Sequence, residues 1–90
     1  AIVYGKVEKQ QNFVDYIEKK DGYVVVHRTE KNGAKIAKTN YCLIKNFGAL
    51  SLLNIEILTG RTHQIRAQLA SHNIFVLGDE RYGKKEINKN

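Results

Sequence analysis

The stretch LTGRTHQIRAQLASH, Leu58 to His72, holds the end of a strand, a corner and the start of a helix in fifteen residues. Just before it, ALSLLNIEIL puts Leu53, Ile55 and Ile57 on one face and Asn54 and Glu56 on the other. That alternation predicts a half-buried antiparallel strand. Thr59-Gly60 ends the strand. Thr62 is the predicted N-cap of a helix running through about Ser71, because its hydroxyl can accept a free amide of the first turn. Ile65, Leu69 and His72 recur at i, i+4 and i+7 and predict one apolar helix stripe. IFVLG then reads as a short buried strand and GDERYG as a loop. The polar content of the corner is unusual. Two arginines, two histidines and two glutamines crowd a single strand-to-helix junction.

Working outward, AIVYGKV (Ala1 to Val7) reads as a strand already running at the first residue, and EKQQN breaks it. FVDYIEKK fits neither the strand nor the helix period cleanly. Asp21-Gly22 is a turn signal, and YVVVH after it is aromatic and β-branched, as strands prefer. Asn32-Gly33 suits the positive φ angles of a tight hairpin, and its lysine-rich flanks predict a solvated tip. KTNYCLIKNF reads as a strand that turns at Asn46 to Gly48. The expected architecture is an α+β domain: an antiparallel, or mixed, sheet meander with one helix packed on it.

Ninety residues bound the chain to a single domain, 1–90. With 42% hydrophobic residues it can bury a core. Fifteen Lys and Arg against nine Asp and Glu give a formal charge of +6. That balance favours polyanions, RNA or DNA before an acidic membrane surface. Cys42 is the only cysteine, so no disulfide forms within the chain, and its apolar neighbours predict a small core residue. No apolar run approaches the roughly 18 residues of a membrane span. A reducing, cytoplasmic setting is expected.

Metal binding is not expected. His63 and His72 are nine residues apart, on opposite sides of a helix, and no carboxylate or cysteine stands at a zinc-like spacing to them. The glycines form neither a Walker A loop nor a dinucleotide fingerprint. Arg66 stands out, because it falls mid-helix among Ile65, Ala67, Leu69 and Ala70 and a half-sunk cation needs a partner. One reading is an ion pair with Asp79 or Glu80. The other is a fork-shaped contact to a catalytic carboxylate or a phosphate across a cleft. Arg61, at the helix N-terminus, is also placed to meet a phosphate.

At these residues a family resemblance enters. LTGRTHQIRAQLASHNIFVLGDERYG resembles the signature of the RluA-type (ribosomal large-subunit) pseudouridine synthases, which isomerise uridine in ribosomal and transfer RNA. AIVYG and GAKIAKTNYCLIK are similar to upstream segments of that family, so the likeness runs over nearly the whole chain. The resemblance implies a part of the catalytic domain, its C-terminal portion, truncated at both ends. It implies that Arg66 pairs with and orients the nucleophilic aspartate. Ile65 and Leu69 would form an apolar wall near the flipped base, and Arg61, Thr62 and His63 would shape the junction and touch RNA. It implies no metal and no organic cofactor. The implied partners are RNA, ribosomal RNA first, and the rest of the parent domain, with no membrane.

One departure limits the resemblance. The family's aspartate lies in an Arg-Leu-Asp motif that this chain does not contain, and Asp15, Asp21 and Asp79 do not match it. The family's active-site tyrosine would stand just before Ala1, and Tyr4 is not that residue. The isolated chain is therefore expected to be inactive. A non-catalytic basic RNA-binding module is the alternative, and a basic protein-interaction scaffold a third reading.

Overall fold

A computed structural model of the chain describes residues 1–60, 63–79 and 82. Five strands form one antiparallel sheet: β1 (Ile2–Tyr4), β2 (Gln10–Lys19), β3 (Val24–His27), β4 (Ala34–Asn46) and β5 (Leu50–Ile57). One helix, α1 (Gln64–Ser71), packs on it. The spatial order is β1-β5-β4-β2-β3. The expected α+β class, with an antiparallel sheet and a packed helix, is what forms. The strand order departs from a simple meander. Consecutive strands β2–β3 and β4–β5 are neighbours, but β1 pairs with β5, and β3 connects to β4 past the intervening β2. Asn32-Gly33 is thus a turn within that crossing and not a hairpin tip. The Ala34 amide donates to the Lys31 carbonyl at 3.0 Å, and Gly33 takes a φ of 90°, which glycine adopts freely.

FVDYIEKK resolves as the core of β2. Phe13, Asp15 and Ile17 point toward the helix and are buried, while Val14 is exposed. The period of two is present, but a carboxylate occupies its centre, which is why the pattern looks broken in sequence. The same phase on β4 buries Ala37, Thr39 and Tyr41, and on β5 Ser51 and Leu53. Cys42, expected in the core, is exposed, because its even position on β4 turns it to the face away from α1. Ile57 is also exposed, near the end of β5. At the β4–β5 end the register shifts between Leu43 and Lys45, leaving Ile44 as the extra residue of a bulge.

IFVLG does not form a strand. Ile74 is buried, and Val76 makes an isolated antiparallel bridge to Val3. The segment runs along the free edge of β1, with Tyr4 donating to Phe75 and Leu77 to Ile2 through backbone amides. It blunts an edge that would otherwise offer unpaired amides.

The core divides in two. Val3, Phe13, Tyr41, Leu53, Leu69 and Ile74 make the larger cluster. Ile17, Val24, Ala37 and Ala67 make the smaller. Leu69 is fully buried, so Leu69→Ala should cost about 2–5 kcal/mol in a denaturant melt, whereas Ile57→Ser should stay within about 0.5 kcal/mol.

The β2–β3 hairpin carries a charge cluster of its own. The Glu18 carboxylate accepts from Lys31 Nζ at 2.9 Å and lies 3.0 Å from His27 Nε2 and 3.3 Å from Lys20 Nζ. Lys31 first, then His27 and Lys20, lower its pKa from 4.5 to about 2. A depressed carboxylate pKa stabilises the fold above the unfolded value and loses that effect as pH falls toward the folded one. Glu18→Gln should therefore lower the melting temperature at pH 6, and the gap from the unaltered chain should close between about pH 4.5 and pH 2 in a melting series.

Candidate functional site

Between the two apolar clusters lies a buried polar seam, and it answers to the polar corner of the sequence. Gln64 and Gln68, one turn apart on α1, both point into the sheet and are buried. Gln64 Nε2 donates to the Lys38 carbonyl at 2.9 Å and to Thr39 Oγ1 at 2.8 Å, while its Oε1 accepts from Thr59 Oγ1 at 2.8 Å. Gln68 Oε1 accepts from Thr39 Oγ1 at 2.7 Å. Its Nε2 donates to Asp15 Oδ2 at 2.8 Å and to the Ala37 carbonyl at 3.0 Å. Asp15 is buried and takes two further contacts, from His72 Nε2 at 2.8 Å and Arg28 Nη1 at 3.2 Å. An ionised carboxylate only accepts, so His72 carries its proton on Nε2 here. The His72 ring stacks on Phe13 at 3.9 Å between centroids. Arg28 reaches on to Ser71 Oγ at 3.1 Å and to the Ser71 carbonyl, tying the segment after β3 to the end of α1.

The helix begins differently from the expected cap. His63 is the N-cap residue, at a φ of 51°, and makes no side-chain cap bond. Thr62, the predicted cap, and Arg61 lie outside the described residues. The His63 carbonyl accepts from the Ala67 amide at 2.9 Å. Its imidazole turns outward, with Nδ1 2.8 Å from the Tyr82 hydroxyl and the two rings edge to face. The same hydroxyl accepts from the Val24 amide at 3.1 Å, so Tyr82 bridges the helix start to β3.

Arg66 completes this clamp. Its Nε and Nη2 grip Asp79 side-on, at 2.9 and 2.8 Å. Of the two partners left open by the sequence, Asp79 is the one found, and Glu80 lies outside the described residues. Asp79 also accepts from the Tyr82 amide at 3.1 Å. The guanidinium sits 5.4 Å from the centre of the Tyr82 ring, within cation–π range. The Arg66 side chain keeps 40% of its surface exposed while that of Asp79 keeps 3%. Donating to Asp79 raises the already high pKa of Arg66 and holds its charge. Two of five N–H groups are committed to Asp79, and among the described residues Nη1 makes no hydrogen bond. An arginine anchored on one edge can offer the other to a carboxylate or a phosphate.

Ile65 is half-buried against the larger core cluster. Leu69 is enclosed by that core and reaches no surface. The buried stripe of α1 is Gln64, Ala67, Gln68 and Leu69, not the stripe through Ile65 and His72. Sequence reading thus missed Asp15, Thr39, Gln64, Gln68, Arg28 and Tyr82. The available signal was glutamines at i and i+4 flanking Ala67, facing a strand that alternates Ala37, Thr39 and Tyr41.

The sequence model of the RNA pseudouridylate synthase family matches residues 1–71. The chain belongs to that family. It is 39% identical over 88 residues to the ribosomal large subunit pseudouridine synthase D of Nitrosomonas europaea, covering 93% of this chain and 24% of that protein. It is 36% identical over 91 residues to the ribosomal large subunit pseudouridine synthase C of Rickettsia conorii, covering 97% of this chain and 30% of that one. The chain therefore spans about a quarter to a third of these relatives. Human RNA pseudouridylate synthase domain containing 1 shares the fold, with a TM-score of 0.81 at 21% identity, over 96% of this chain and 40% of the human one.

The seam makes a stability prediction. Gln68→Leu keeps the volume but strips donors from Asp15 and the Ala37 carbonyl and an acceptor from Thr39. Asp15 keeps His72 and Arg28 and Thr39 keeps Gln64, but each hydrogen bond lost from these buried groups costs about 1–3 kcal/mol. The melting temperature should fall by roughly 10 °C or more for a domain of this size, measured by circular dichroism.

Proposed function

We propose that the chain is the C-terminal portion of the catalytic domain of an RNA pseudouridine synthase, converting uridine to pseudouridine in ribosomal RNA in the cytoplasm. The observation that carries the reading is Arg66, held side-on by Asp79 with the rest of its guanidinium uncommitted and partly exposed. In this family an aspartate attacks the uridine, the glycosidic bond breaks, the uracil turns, and it rejoins through carbon. Arg66 positions that aspartate, which belongs to a segment outside these 90 residues. Asp79 cannot take its place, because its carboxylate is buried and occupied by Arg66 and the Tyr82 amide.

Family membership supports this reading, and the names of the two bacterial relatives support ribosomal RNA as the substrate. Arg61, Thr62 and His63 line the approach to RNA, with Ile65 as the apolar wall beside the extruded base and Leu69 packed behind it. The target base must leave its stack, and the charge of +6 favours the phosphate backbone that carries it. The same charge supports the alternative, a basic RNA-binding module without catalysis. The two part on activity in the complete protein.

The test is pseudouridine formation on ribosomal RNA. The isolated 90-residue chain should form none. In the complete enzyme, Arg66→Ala should lower kcat by about 10²–10³, as loss of an electrostatic positioning group does, with KM for RNA changed no more than about threefold. Arg66→Lys should recover part of that loss. Activity of the isolated chain that disappears with Asp79→Ala would overturn both the assignment and the role of Arg66.

A further inference from the structure

A cleft opens at the far end of α1, by helical rise roughly 9 Å along the axis from Arg66. Its volume is about 400 Å³, and Tyr4, Lys6, Glu8, Gln11, Tyr41 and Asn73 are among its lining residues. It lies between the β1–β2 connection and the residues just past the helix, with His72 at its edge. None of Arg66, Asp79, His63 or Tyr82 borders it.

One atom marks this cleft as built for a ligand. Tyr41 is 2% exposed, and its buried hydroxyl makes no hydrogen bond of full geometry among the described residues, the Glu8 backbone coming near it without completing one. A buried, unpaired hydroxyl is costly, and native structures rarely keep one without a reason. Burial raises the phenol's pKa, the Glu8 charge adds to the rise and the nearby Glu8 backbone opposes it, and Glu8 itself lines the cleft. The side-chain amides of Gln11 and Asn73 likewise make no hydrogen bond among the described residues. Each offers a donor and an acceptor to an occupant.

We infer that this cleft holds one unstacked ribonucleotide of the bound RNA, a subsite separate from the one that takes the target uridine. The inference rests on RNA being the partner, as proposed above. The volume falls in the range of small-molecule sites. Tyr4 supplies an aromatic wall for a base face. Gln11, Asn73 and the Tyr41 hydroxyl pair with the base edge, which presents donors and acceptors together. Glu8 accepts from a ribose hydroxyl, and its charge turns the phosphate toward Lys6. A second seated nucleotide would fix the RNA's register, so that the uridine to be modified arrives at Arg66.

The test is a nitrogen–proton NMR titration of the 90-residue chain with each of the four ribonucleoside 5′-monophosphates, with inorganic phosphate as a separate probe. At least one nucleotide should give saturable shifts at Gln11, Tyr41 and Asn73. Tyr41→Phe should weaken that binding roughly fivefold, the worth of a neutral hydrogen bond. It should leave the melting temperature unchanged or higher, because it removes an unpaired buried hydroxyl. The double variant Gln11→Ala, Asn73→Ala should weaken it at least about tenfold. Shifts confined to His63 and Arg66, no shifts at all, or inorganic phosphate matching the nucleotides would each overturn the inference. Nucleotide binding here without uridine isomerisation by the complete enzyme would remove the proposed activity and leave this subsite standing.

Discussion

The helix of this domain is held to its sheet by amides as much as by apolar contact. Of the four buried residues of α1, two are glutamines. Gln64 and Gln68 straddle Thr39, whose single hydroxyl accepts from one and donates to the other. Apolar surfaces can slide against each other at small cost, whereas a buried hydrogen-bond ladder has one register in which every group is satisfied. A shift of α1 by one turn would take His72 from Asp15 and one of the two glutamines from Thr39. The seam therefore fixes the axial position of the helix.

That position decides where Arg66 stands. It lies two residues from each glutamine, so when they point inward it is turned toward the rim, where Asp79 meets it. Tyr82 then ties Asp79 to His63 and to β3. The long motif from Thr59 to Tyr82 is in this sense one mechanical unit. Among the described residues, its polar members Thr59, His63, Gln64, Arg66, Gln68, Asp79 and Tyr82 are held by one another and by the sheet.

Much of the fold was legible in sequence because ordinary rules applied. Alternation located β5, the turn residues at Asp21-Gly22 and Asn46–Gly48 located hairpins, and the end of α1 fell at Ser71. The errors share a physical cause. Polar residues at inward positions, above all Asp15, hid the strand period of β2. Equating the buried helix face with its apolar residues placed the stripe on Ile65 and His72 instead of Gln64 and Gln68. Asn32-Gly33 is a local turn signal and carries no information about which strands its flanks will join. Cys42 shows the same limit, since apolar sequence neighbours do not determine which face of a strand a residue occupies. At the site, the need of Arg66 for a partner was legible from its surroundings. The choice of Asp79 was not, because it depends on how the chain returns along β1 after the helix.

The most direct measurement is the solvent exchange of the side-chain amide protons of Gln64 and Gln68, resolved by NMR in the folded chain. If the seam fixes the helix, these protons exchange orders of magnitude more slowly than those of an exposed glutamine such as Gln10. Exchange as fast as that of Gln10 would mean that the two amides face water. The register of α1, and with it the placement of Arg66, would then need another cause.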